Sequence, residues 1–169
     1  MFAAGDFVFY GSGGICRIAD VLPAPLEHMP AGRMYYVMHS IHDSNGVIYV
    51  PVDSDQVFLR SLITKEEAEL LLRQIPAILP IEESNAKLLR EKYLLAMKQH
   101  TPVEWIRVVK TIRRRREVLA GRAQRLSETE RSFGENAMRF LRTELSLALG
   151  LSEEELAPYV ERTVGISAV

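Results

Sequence analysis

The hydrophobic period of the chain changes once, near Ser61 to Lys65, and this change restricts the fold more than any motif does. Before it, apolar residues come in short branched and aromatic runs broken by glycine and proline. After it, they recur at spacings of three and four. Strands followed by helices, rather than alternating with them, argue against a doubly wound α/β sheet. The expected fold is therefore α+β in two parts: a small antiparallel β-barrel over residues 1–62, then a compact all-α domain of about five helices over 63–169.

In the first part, "GDFVFY" (5–10) reads as a strand that runs into "GSGG" (11–14), a turn in which glycine permits positive φ. "ICRIADVL" (15–22) is a second strand, followed by the loop "PAPLEHMPAG" (23–32). "RMYYVMHSIH" (33–42), the hairpin-turn signal "DSNG" (43–46), "VIYVPV" (47–52) and a short run near "VFLR" (57–60) complete the set. Strands this short and this closely spaced suit a strongly bent sheet.

The second part announces its helices by their caps. Ser/Thr-x-x-Glu recurs at Thr64/Glu67, Thr101/Glu104, Ser127/Glu130 and Ser152/Glu155, and each pair can cap a helix reciprocally. Pro102 suits a first helical position, and Gly150 followed by Leu151 suits a Schellman stop. Helices are predicted at 65–75, 85–99, 102–120, 128–149 and 153–162, with "IPAILP" as the break between the first two.

The formal net charge is only -1, yet the charges are unevenly placed. Up to Arg60, six acidic residues face only Arg17, Arg33 and Arg60. Between Pro102 and Arg131, nine cations face Glu104, Glu117, Glu128 and Glu130. Such asymmetry suggests an anionic partner for the helical half. At roughly 100° per residue from Trp105, Val108, Val109, Ile112 and Leu119 form the apolar stripe of their helix. Arg107, Lys110 and Arg114 lie opposite, Arg113 and Arg115 flank the stripe, and Arg116 falls about 20° from its centre. On the next helix Phe133, Ala137, Phe140, Leu141, Leu147 and Ala148 project inward around Glu144. An ion pair between Arg116 and Glu144 is thus expected to join the two helices, worth about 3–5 kcal/mol against loss of one partner. The remaining arginines read either as a solvated face or as a nucleic-acid surface.

Catalytic and metal chemistry find little support. His28, His39, His42 and His100 are scattered, and on a strand the three-residue offset of His39 and His42 puts their rings on opposite faces. "GSGG" lacks the Gly-Lys-Ser/Thr ending of a phosphate loop, and Cys16 reads as a small core residue. No metal or cofactor is expected. A lone cysteine and the absence of signal-like apolar stretches fit a cytoplasmic protein.

"AGDFVFYGSGGICRIADVL", "VIYVPVDSDQVFLR", "SNAKLLREKY", "PVEWIRVVKTIRRRR", "LSETERSF" and "LRTELSLALG", in that order, resemble the CarD/CdnL family of bacterial transcription regulators over nearly the whole chain. The resemblance implies that the barrel is a Tudor-like (SH3-like) RNA polymerase-interaction domain, of the kind shared with the transcription-repair coupling factor. It also implies binding to the polymerase β subunit and stabilisation of the open promoter complex at the upstream edge of the bubble, through DNA-backbone contacts without sequence readout. An enzyme is not implied, and the location would be the nucleoid, by way of polymerase. The strand around Val47 to Pro51, with Tyr49, would meet polymerase. Asn85, Lys87, Arg90 and Arg131 would meet DNA, with the Arg113 to Arg115 group, Arg113 and Arg114 included, in second rank. Many members carry a tryptophan wedge immediately after the asparagine, where this chain has Ala86. An adaptor bridging polymerase and another protein without DNA contact is the alternative. The family implies a monomer, although an unpaired barrel edge permits a dimer.

Overall fold

In a computed structural model of the chain, residues 1–165 are described except residues 12, 25, 28, 44 and 45. Ser12 of the expected glycine turn, Pro25 and His28 of the loop, and Ser44 and Asn45 of the hairpin turn thus lie outside the described residues. The chain divides into two compact units, Met1–Leu62 and Ile63–Val169.

The first unit holds five strands: β1 (Phe7–Tyr10), β2 (Gly14–Pro23), β3 (Met34–Ser40), β4 (Val47–Pro51) and β5 (Leu59–Ser61). They form one antiparallel sheet in the order β4-β3-β2-β1-β5. Val8, Cys16, Ile18, Tyr36, Met38 and Val50 make its core, with Ile48 of β4 and Leu59 of β5 packed against it. Because both outer strands contribute to one core, the sheet curls on itself. A register shift between Ile18 and Asp20 adds a local bend of the kind a β-bulge gives. Phe2 closes over this core: its N–H donates to the Tyr36 hydroxyl at 3.1 Å and its ring meets Tyr36 edge-on. The last strand starts two residues later than the sequence suggests, although the Gly11 N–H still donates to the Phe58 carbonyl at 3.0 Å just before it.

The second unit holds α1 (Lys65–Gln74), a 3-10 turn (Ile75–Ala77), α2 (Ala86–Lys98), α3 (Pro102–Ala120), α4 (Glu128–Leu149) and α5 (Glu153–Val164). Thr64/Glu67, Ser127/Glu130 and Ser152/Glu155 all form the reciprocal cap. Thr101 does not: its side chain makes no cap bond, and the Glu104 carboxylate that should reach back is held instead by Arg107 at 2.9 Å. Gly150 has φ +67°, and the Leu151 N–H donates to the Ser146 carbonyl at 3.0 Å, which completes the expected stop. Lys110, expected opposite the stripe, braces the break between α1 and α2 by donating to the carbonyls of Ile75 (2.5 Å) and Ile78 (2.7 Å). The Ile81 N–H donates to the Thr111 hydroxyl one residue further along α3.

The ion pair expected between Arg116 and Glu144 is not formed. Glu144 is fully buried and accepts from the Ile63 N–H at 3.0 Å, whereas Arg116 is exposed. The buried side of α3 ends at Ile112, beyond which the helix runs past the edge of the core and leaves Val118 exposed as well. A helical projection gives direction around the axis but not where along the axis the core stops. The ion pair that does join α3 to α4 is Arg115 with Glu130, at 2.5 Å. Gly134 lets the same two helices approach closely, since a Cβ there would lie 3.0 Å from Cγ2 of Ile112. Toward its C-terminus α4 is buried nearly all round, at Thr143, Glu144, Leu145, Ser146 and Leu149, because α1, α3 and α5 pack against different sides of it.

Candidate functional site

In the first unit the Val47-Tyr49-Pro51 side of β4 faces away from the core, which Ile48 and Val50 occupy. Val47 is 47% exposed, and Tyr49 and Pro51 are half-buried. β4 pairs with β3 alone, so it is an edge strand among the described residues. The Val52 N–H donates to the Met34 carbonyl at 2.9 Å, and this bond sets the phase of the ladder. In an antiparallel pair, hydrogen-bonded and non-bonded positions alternate. Counting from Val52, Val50 and Ile48 therefore bond to Tyr36 and Met38, while Pro51, Tyr49 and Val47 stand in non-bonded positions opposite Tyr35, Val37 and His39. The backbone N–H and C=O groups of Val47 and Tyr49, and the carbonyl of Pro51, point to the open side of the sheet. One set of residues thus presents both its side chains and its unpaired backbone.

In the second unit Asn85 is the N-cap of α2: its Oδ1 accepts from the N–H groups of Lys87 (2.9 Å) and Leu88 (3.1 Å). That leaves its side-chain NH2 as the group able to donate to a ligand. Ala86, Lys87 and Arg90 are exposed on the first turns of the helix. Glu83 fixes the approach to α2, accepting from the Asn85 N–H and pairing with Lys92 at 3.1 Å, and these contacts hold its carboxyl below the usual range. Arg131 lies exposed in the first turn of α4, paired with Glu128. The rings of Tyr93 and Phe133, 5.4 Å apart, tie the turn after Arg90 to the first turns of α4. The site residues of α2 and α4 are thereby held on neighbouring elements.

Much of the arginine cluster is compensated internally. Arg113 pairs with Glu117 at 3.7 Å, Arg114 with Glu82 at 3.8 Å and Arg115 with Glu130 at 2.5 Å. Lys87 and Arg90 have no carboxylate within ion-pair distance among the described residues. The Arg115–Glu130 pair was not foreseen, although its signals are present. The cap at Ser127 places Glu130 in the first turn of α4, and Arg115 flanks the stripe of α3 on the side an antiparallel neighbour meets.

Cys16 is fully buried, and burial pushes its thiol pKa up. His42 lies beyond the end of β3 rather than on it. Among the described residues no three His, Cys, Asp or Glu side chains gather in a way that could hold a metal ion. Among the described residues no helix is long and apolar enough to cross a membrane.

Residues 2–63 match the family model described as the CarD-like/TRCF RID domain. The match covers the sheet unit and leaves the helical unit outside it. This is an RNA polymerase-interacting domain family, whose members are protein-interaction modules rather than catalytic ones. No curated protein matches the chain.

Proposed function

We propose that this chain, whose N-terminal unit is a CarD-like/TRCF RID domain, is a transcription regulator that binds the RNA polymerase β subunit through β4 and stabilises the open promoter complex through its helical unit. The observation that carries the reading is the outward-pointing backbone of Val47 and Tyr49 on an edge strand. A strand of the partner can add there, with main-chain hydrogen bonds giving affinity and alternate side chains giving specificity. Lys87, Arg90 and Arg131 then neutralise backbone phosphates of promoter DNA and the Asn85 NH2 donates a hydrogen bond to one, with Arg113 and Arg114 contributing once their carboxylate partners are displaced. Tethering to polymerase raises the effective DNA concentration, so weak contacts suffice.

Tyr49→Pro tests the first half. The Tyr49 N–H is not bonded to β3, so proline removes an outward donor without taking a bond from the sheet. Binding to immobilised β subunit should fall by about tenfold or more, with the far-UV spectrum retained; one or two lost main-chain bonds are of that size. Unchanged affinity would place polymerase elsewhere on the molecule.

The internal pairing of Arg113, Arg114 and Arg131 favours a second reading, an adaptor with no DNA contact. Fork-shaped DNA separates the two. A DNA-contacting unit shows affinity that falls with salt at a slope of about -0.9 per phosphate engaged, and an adaptor shows no such term.

A further inference from the structure

Beside the turn between α3 and α4 lies an open surface concavity of about 560 Å³, lined by the exposed Arg116, Ala120, Gln124, Arg125 and Arg131 and the half-buried Leu126, among others. No carboxylate among the described residues lines it. This sets it apart from the rest of α3, where Arg107, Arg113, Arg114 and Arg115 each have an acidic partner. Arg116 and Arg125 have none within ion-pair distance among the described residues, and the partner of Arg131, Glu128, is 78% exposed. A pair so exposed is weak and readily exchanged for a stronger anion.

Three arginines border one concavity, and an anion held between them would offset the mutual repulsion of their charges. Their planar forks match the oxygens of phosphate, to which each can donate two bonds. The cavity is larger than a lone phosphate needs and falls within the roughly 300–1,000 Å³ of small-molecule sites. Ala120 and Leu126 give it an apolar wall, and Gln124 a neutral donor and acceptor. We infer that this concavity is a binding site for a small phosphorylated ligand of the nucleoside polyphosphate class, the phosphates held by Arg116, Arg125 and Arg131 and the base laid against Leu126. Since Arg131 also belongs to the DNA face, an occupied site withdraws it from promoter DNA. That consequence rests on the function proposed above.

The test is isothermal titration of the full chain with GTP, with ATP, with inorganic pyrophosphate and with fork-shaped DNA, for wild type and for the double variant Arg116→Gln/Arg125→Gln. Both substitutions lie on exposed positions, and a melting curve checks that the fold survives. A nucleoside triphosphate should bind wild type more tightly than pyrophosphate does and lose about tenfold or more in the double variant, the scale of one charge-assisted contact per guanidinium. No heat from either nucleotide up to about 5 mM, or equal binding to the double variant, overturns the site. If the double variant loses only fork DNA and no nucleotide binds, the concavity is part of the DNA face: the small-ligand site falls and the function proposed above stands. If nucleotide binds as expected but fork DNA binds neither protein, the site stands and DNA contact falls.

Discussion

Tyr93 and Glu130 show how unequal two neighbouring polar groups can be. The Tyr93 hydroxyl is buried with no hydrogen-bond partner among the described residues, and its pKa is pushed up to about 12, chiefly by burial and then by the charge of Glu130. A buried hydroxyl without a partner contributes its ring and subtracts its desolvation. Tyr93→Phe, which keeps the ring against Phe133, should therefore leave the melting temperature unchanged or raise it. A loss of more than about 1 kcal/mol would mean that the hydroxyl is satisfied in solution. Glu130 behaves in the opposite way. Burial pushes its pKa upward, but hydrogen bonds from the Ser127 N–H and hydroxyl and from Arg115 outweigh burial and hold it below the usual carboxylate value. A depressed folded-state pKa contributes stability that is present above the unfolded pKa and is lost as pH falls through the folded one. Glu130→Gln keeps a side chain able to cap but removes the charge. It should cost about 1 kcal/mol near neutrality, and the gap to wild type in denaturant titrations should narrow once the pH falls below about 4. A gap that stays constant down to acid pH would remove the ion pair from the account of how α3 and α4 are joined.

At the scale of elements, what the sequence made legible was local chemistry. Three of the four Ser/Thr-x-x-Glu patterns are caps, Pro102 opens α3, and Gly150 ends α4 in the left-handed conformation. These signals act within one turn, so they can be read without the tertiary structure. The failures are tertiary. Thr101 lost its partner because Glu104 had a guanidinium within reach at Arg107, and Arg116 stayed in water because α3 outruns its core. The choice of Val47 to Pro51 rests on the resemblance, whereas the edge position of β4 among the described residues comes from the strand pairing. The direction of its free backbone groups came only from the ladder phase set by Val52 and Met34. The contrast between the caps is measurable. Ser127→Ala should lower stability by about 1 kcal/mol, whereas Thr101→Ala should be close to neutral, since no cap bond is lost. Equal losses in the two variants would show that Thr101 caps α3 after all.

For the molecule as a whole, the two units divide the work by their chemistry. The sheet unit offers unpaired backbone and a mostly apolar edge, suited to another protein. The helical unit offers cations, some matched internally and some free, suited to phosphate. Ala86 stands exposed where the family resemblance places a wedge, so the DNA contact proposed above would be electrostatic and should depend on Lys87, Arg90 and Arg131 together. The measurement that tests this most directly is the lifetime of heparin-challenged open complexes formed by the cognate polymerase, alone, with wild-type protein, and with a Lys87→Glu/Arg90→Glu/Arg131→Glu variant. The wild type should lengthen the lifetime, and the variant, while still bound to the β subunit, should return it to that of polymerase alone. A lifetime that wild-type protein leaves unchanged, or that the variant extends equally, would contradict stabilisation through the helical unit.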